Sequence, residues 1–170
     1  YLSQIAEVDY FMPGCPPVVD QVWDVFQAVL KGSLPPKGSI IGASDKSVCD
    51  VCPREKGSSG FRIKEFKRPH EVTLDPDTCF LTQGVICSGP ATRAGCGIPC
   101  LTGNMPCRGC YGPSEGIIDQ GTKMASAIGA LIDTDDPEQI DEILNTLVDP
   151  AGTFYRFGLS HSIMSRMKYE

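Results

Sequence analysis

Nine cysteines are the residues of this chain best suited to carry chemistry: Cys15, Cys49, Cys52, Cys79, Cys87, Cys96, Cys100, Cys107 and Cys110. Eight of them fall between Cys49 and Cys110, among glycines and prolines, and the CxxC pairs Cys49/Cys52 and Cys107/Cys110 bracket the run. A CxxC pair offers two thiolates from one turn of backbone to a single soft metal or cluster. Eight thiols divide naturally into two sets of four.

Three chemistries use cysteine at this density. A disulfide framework suits small secreted proteins, but the count here is odd, 170 residues are enough to bury a core, and no charged segment followed by an apolar one marks a secretory leader. A structural zinc site needs four thiolates close together. Cys52 and Cys107 stand 55 positions apart, far beyond the loop of a zinc ribbon, and Cys79, Cys87, Cys96 and Cys100 would lie idle. Iron–sulfur clusters occupy all eight. The Cys15-Pro16 and Cys52-Pro53 steps are of a kind common at cluster ligands, and glycines at 84, 89, 95, 97, 103, 109 and 112 would bring backbone amides close to cluster sulfurs.

Charge narrows the partners. The formal net charge is -6, from 15 Lys+Arg against 21 Asp+Glu, which disfavours nucleic acid and anionic membrane surfaces. No apolar run approaches the 18 or so residues of a membrane span, so the chain reads as soluble and cytoplasmic. Arg54, Lys56, Arg93 and Arg108 sit beside candidate ligands, where a cation lowers thiolate pKa and helps set a cluster potential. His70 and His161 lie on polar loops and read as neither ligands nor proton carriers. No GxSxG, HExxH, P-loop or GxGxxG motif occurs.

The elements that must position the cysteines fall into three zones. In residues 1–43, Ile5–Met12 reads as a partly buried strand broken by Pro13-Gly14, and Val18, Val22, Val25, Phe26, Val29 and Leu30 form a helical stripe ending at Gly32. Cys15 then lies between a strand's carboxyl end and a helix's amino end, as in nucleotide-binding α/β folds. Residues 44–113 show little regular structure beyond a hint of a short helix over Asp75–Gln83. Loops this long seldom occur in a compact domain, and metal or cluster ligation is expected to stand in for the apolar interior they lack. Phe61, Phe66, Phe80, Ile86 and Ile98 argue against a disordered linker. In residues 114–170 the spacing predicts one amphipathic helix over Ser114–Leu131 and another opening at Asp136-Pro137-Glu138. The tail from Gly152 mixes Phe154, Tyr155, Phe157 and Leu159 with Arg156, Arg166 and Lys168, as a segment docking on another subunit would.

Four stretches together resemble the small subunit of NiFe-hydrogenases: Val8-Asp9-Tyr10-Phe11-Met12-Pro13-Gly14-Cys15-Pro16-Pro17, Cys49-Asp50-Val51-Cys52-Pro53-Arg54, Cys79-Phe80-Leu81 through Cys87-Ser88-Gly89-Pro90, and Gly95-Cys96-Gly97 through Pro106-Cys107-Arg108-Gly109-Cys110. The likeness runs from about Val8 to Leu131 and is strongest to the cytoplasmic, methyl-viologen-reducing (deazaflavin-non-reducing) branch of methanogens. It implies an α/β fragment, the end of a flavodoxin-like domain, followed by a loop-rich iron–sulfur cluster region and C-terminal helices.

The resemblance also implies a function and a ligand set. In such enzymes a separate large subunit oxidises hydrogen, and the small subunit carries electrons through proximal, medial and distal clusters. Cys15 matches the last proximal ligand; Cys49, Cys52, Cys79 and Cys87 match the distal set; Cys96, Cys107 and Cys110 match the medial set, to which Cys100 adds a fourth thiolate. Many relatives have a His at the position of Cys49 and a three-iron medial cluster. Two complete four-iron (4Fe-4S) clusters of lowered potential are therefore expected, with a third shared with a missing N-terminal part that would hold the other proximal ligands. The implied partners are the hydrogenase large subunit and an electron-accepting iron–sulfur or flavin subunit of a heterodisulfide-reductase type of complex. A free-standing ferredoxin-like carrier with two clusters, or a purely structural zinc module, are the alternatives that the residues themselves leave open.

Overall fold

The computed structural model describes residues 2–57 and 62–166. Phe61 and Lys168, and the side chain of Arg166, lie outside the described residues. The chain opens with a 3-10 turn at Leu2–Gln4, then β1 (Tyr10–Phe11), α1 (Val19–Lys31) and β2 (Ser39–Ile40). β1 and β2 are parallel, with Tyr10 opposite Ser39 and Phe11 opposite Ile40, so α1 is the crossover of one βαβ unit. The strand expected over Ile5–Met12 shrinks to two residues, because β2 is itself two residues long and offers no further partner. α1 forms as its periodicity predicts. Gly32 closes it with a left-handed φ of 64°, its N–H and that of Ser33 capping the carbonyls of Val29 and Ala28.

Regular structure is sparse through the cysteine zone: α2 (Val48–Val51), a 3-10 turn at Gly89–Ala91 and α3 (Pro99–Thr102). The helix hinted at over Asp75–Gln83 is a turn. Asp75 Oδ1 accepts the Asp77 N–H, its Oδ2 accepts the Thr78 hydroxyl, and the Gln83 amide bonds the Asp75 N–H and the Asp75 and Thr78 carbonyls. These side chains take the backbone groups that a helix would have paired with one another. After Asp119, whose carboxylate caps the Thr122 N–H, comes α4 (Gln120–Gly129), starting six residues later than the spacing suggests. α5 (Pro137–Asn145) opens where expected, with Asp136 accepting the Glu138 N–H, and α6 (Pro150–Phe154) follows.

The core contradicts one expectation. The cysteine loops do have an apolar interior: Val48, Ile63, Phe66, Phe80, Leu81, Val85, Ala91 and Leu101 are buried together with Met124, Ile128, Ile132 and Ile143 from the helical zone. The loops contribute one or two residues at a time without a helix or strand period, which is why pattern reading passes over them. Single backbone bonds hang the loops together, such as Val48 N–H to Thr92 O at 2.8 Å and Ile63 N–H to Leu131 O at 2.6 Å. Among the described residues, no hydrophobic side chain before Val48 is buried.

Candidate functional site

The cysteines are placed by short capped turns. Ser47 caps α2 reciprocally with Asp50, whose carboxylate accepts the Ser47 N–H at 2.7 Å and its hydroxyl at 2.8 Å. That single turn sets Cys49 and Cys52 three residues apart and so on one side of it. Cys79 is fixed by its N–H to Glu55 O at 2.8 Å, and Cys100 lies in α3, its carbonyl accepting the Met105 N–H at 2.8 Å. All nine thiols are free, and Cys87 is the most deeply buried.

Two neighbourhoods emerge, touching at one point. Cys49 lies within electrostatic reach of Cys79 and Cys52, and Cys110 of Cys100 and Cys96; Cys107 is in reach of Cys110 and Cys96. Cys87 stands between them: it shares a neighbourhood with both Cys107 and Cys49, and the Cys107 N–H donates to Cys87 Sγ at 3.3 Å. A Cβ placed on Gly89 would meet Cys49 Sγ at 3.0 Å and Cys87 Sγ at 3.6 Å, so a side chain there would crowd both sulfurs. Cys15, exposed in the β1–α1 loop, touches the other end: its backbone N–H and its thiol both act on Cys110. Neighbour by neighbour, Cys15 adjoins Cys110, Cys110 adjoins Cys96, Cys100 and Cys107, Cys107 adjoins Cys87, and Cys87 adjoins Cys49, which adjoins Cys52 and Cys79.

Burial dominates the acid–base character of the inner thiols. It pushes Cys49 and Cys87 up to about 12, against the pull of Lys56 on the first and of the Gly89 N–H on the second. Burial likewise raises Cys107, against the Gly109 N–H and the Thr92 hydroxyl, and raises Cys110. A thiol so desolvated stays protonated until a bound metal ion displaces the proton into solvent, which suits metal ligation. The donor set fits iron–sulfur clusters: thiols only, with amide N–H groups from Gly89, Cys107, Gly109 and Cys15 directed at sulfur. Among the described residues, no three His, Cys, Asp or Glu side chains converge as ligands of a single metal ion would. A cluster holds its thiolates at separate irons, so such convergence is not what it requires.

The glycine and arginine expectations divide. Gly89 and Gly109 bring amides to sulfur, whereas Gly84 packs on the Glu65 carbonyl and Gly95 on the Ala43 backbone. Arg54 is not aimed at sulfur. It is 6% exposed, its Nη1 donates to Asp75 O and Thr78 O at 2.9 Å each, and its Nη2 donates to Leu101 O at 3.2 Å and Asn104 Oδ1 at 2.7 Å. Its guanidinium also lies 3.9 Å over the Phe80 ring. Arg54 thereby ties the loop of Cys79 to the helix of Cys100. Lys56 does face a candidate ligand, its Nζ donating to Cys49 O at 2.9 Å. Arg93 is buried near Glu115, and burial lowers its pKa.

Sequence reasoning missed the polar joint between the zones. The Tyr111 hydroxyl donates to Gln21 Oε1, and Gln21 Nε2 donates to Ile41 O at 3.4 Å. Behind Cys107, Gln120 Nε2 donates to Thr92 Oγ1 and to Gly109 O, both at 3.1 Å. A glutamine inside an apolar helical stripe is the visible signal for the first; nothing local marks the second. His70, 3.9 Å from Glu71, and His161 are exposed.

Thiol donors in adjoining sets under directed amides fit the class of iron–sulfur proteins. No protein-family model matches the chain. Curated relatives do. The chain is 37% identical to the F420-non-reducing hydrogenase iron-sulfur subunit of Archaeoglobus profundus, covering 99% of the chain and 53% of that relative. It is 40% identical to the corresponding F420-non-reducing hydrogenase subunit of Methanothermobacter marburgensis over 166 residues, covering 96% of the chain and 52% of the relative. With the like-named subunit of Methanothermus fervidus it shares 40% identity over 121 residues, 68% of the chain and 93% of that relative. The chain belongs to this family of F420-non-reducing hydrogenase subunits, and it spans about half the length of most of the curated relatives it matches. Among the described residues, no helix is long and apolar enough to cross a membrane.

Proposed function

We infer that the chain is the electron-transferring part of a cytoplasmic hydrogenase small subunit. In this reading Cys49, Cys52, Cys79 and Cys87 hold a distal four-iron cluster, and Cys96, Cys100, Cys107 and Cys110 a medial one. Cys15 supplies one ligand of a proximal cluster completed by an earlier part of the subunit. The observation that carries it is the spatial order of the thiols, from Cys15 past Cys110 and Cys107 to Cys87 and Cys49, in a chain of this family. Bound clusters supply the one-electron carriers.

The chain's own residues prepare those places. Amide N–H groups stabilise anionic sulfur, the apolar core keeps water from the inner thiols, and Arg54 holds the two cysteine loops at a constant offset. In this reading the parallel β1–α1–β2 unit is the end of a flavodoxin-like domain. Val19, Val22, Trp23, Phe26, Val29 and Leu30 of α1 are exposed, and apolar surface of that extent suits a subunit covered by further protein better than a free-standing carrier. The expected partners are the hydrogen-oxidising large subunit and an iron–sulfur or flavin acceptor of the heterodisulfide-reductase type.

Cys100→Ser tests the assignment. In the anaerobically purified complex it should convert the medial cluster toward a three-iron form of higher potential, seen by electron paramagnetic resonance during a redox titration, with the distal signal unchanged. An unaltered spectrum removes Cys100 from the ligand set. Colourless wild-type material, free of iron and acid-labile sulfide, would end the reading.

A further inference from the structure

The chain is acidic overall, yet four of its 15 Lys and Arg residues line one cavity. The Phe66–His70 stretch, Val85, Ile86, Arg108 and a segment running to Arg156 enclose a cavity of about 230 Å3. Its lining is apolar at Phe66, Val85 and Leu147 and includes Lys67, Arg68, His70, Arg108 and Arg156. Lys67 is paired with Glu65 at 2.6 Å and His70 stands 3.9 Å from Glu71. Among the described residues no salt bridge engages Arg68, Arg108 or Arg156. The lining carboxylate of Asp149 is turned into its own helix cap, its Oδ1 accepting the Gly152 N–H at 2.9 Å. Three arginines therefore line one cavity whose single lining carboxylate caps its own helix, while nearby Glu71 accepts the Arg68 backbone N–H at 2.8 Å rather than pairing with its guanidinium.

The position of the cavity gives this a use. Ile86 precedes Cys87 and Arg108 follows Cys107, the two residues at which the thiol groups meet. The cavity lining thus includes the chain neighbour of one candidate ligand from each set. Cofactor sites generally enclose about 300–1,000 Å3, so the space suits a single side chain better than a whole flavin or nucleotide.

We propose that this cavity is the docking pocket for an acidic side chain of the protein that takes electrons from the Cys49–Cys87 end of the chain. The proposal rests on the electron-transfer reading above. A guanidinium fork matches a carboxylate in two parallel hydrogen bonds. A cationic patch on an otherwise acidic subunit also orients an approaching acidic protein and speeds its encounter at low salt.

The test uses the native complex carrying the full-length subunit, with a small acidic ferredoxin as protein probe and benzyl viologen, a cation, as control acceptor. In the Arg68→Glu/Arg156→Glu variant, hydrogen-driven ferredoxin reduction should fall about tenfold or more at low ionic strength, while viologen reduction stays at the wild-type rate. Added salt should slow ferredoxin reduction in the wild type and not in the variant. Equal ferredoxin rates in the two proteins overturn the docking pocket and leave the relay standing; a wild-type complex that reduces neither acceptor overturns the relay itself. Should the charge reversal cost viologen reduction as well, Arg68→Gln/Arg156→Gln takes its place, and equal ferredoxin rates there overturn the pocket. Tight binding of inorganic phosphate that the substitutions abolish, with ferredoxin reduction unaffected, would assign the cavity to a free anion and likewise overturn it.

Discussion

The β1–α1–β2 unit and the cysteine loops make opposite use of regular structure. α1 is a 13-residue helix closed by Gly32, yet its buried side chain is the polar Gln21, and Trp23 is 58% exposed. Among the described residues, the loops from Val48 to Leu101 have almost no helix and no paired strand, yet they carry most of the buried apolar residues. Periodicity signals that a segment has an apolar face. It does not say whether that face is covered within the same chain, and burial, not hydrogen-bond pattern, sets where stability lies.

The sharpest way to break the contrast is Phe80→Ala. Phe80 is 1% exposed beneath the Arg54 guanidinium, so its loss should cost about 3–5 kcal/mol in chemical denaturation. A cost under about 1 kcal/mol would mean that clusters alone hold the loops. Arg54→Ala comes next: it strands carbonyls of Asp75, Thr78 and Leu101 and should cost about 2–3 kcal/mol, with Arg54→Lys a poor rescue because one ammonium cannot span both loops. Its separate signature is spectroscopic, since both cysteine loops shift and both cluster signals should broaden. The smallest effect is expected at Phe26→Ser on the exposed face of α1, within about 0.5 kcal/mol for the chain alone. Trp23, the sole tryptophan and stacked on Phe26 at 5.9 Å, reports on that face. Its emission should shift to the blue when further protein covers α1, and an unshifted spectrum in the assembled complex would mean that the face stays open.

Legibility follows the reach of each signal. Asp136-Pro137-Glu138 announces α5 because capping involves only a few consecutive residues, and Gly32 ends α1 for the same reason. Asp75–Gln83 misleads, because its polar side chains bond the backbone and Arg54 reaches in from 21 positions away. Arg54 itself reads as a tuning cation from its place beside Cys52; only the fold reveals that its fork is filled by carbonyls and Asn104.

By itself the sequence determined the inventory: nine thiols, two CxxC turns, the helix caps, and the ordered motifs that mark the family. These depend on residue type and short spacing, which survive without knowledge of the fold. Tertiary structure decided which thiols are neighbours, that Cys87 stands where the two groups meet, that scattered apolar residues become a core, and that arginines far apart in the chain share one cavity. Those outcomes depend on contacts between distant loops, and no local pattern encodes which loops will meet.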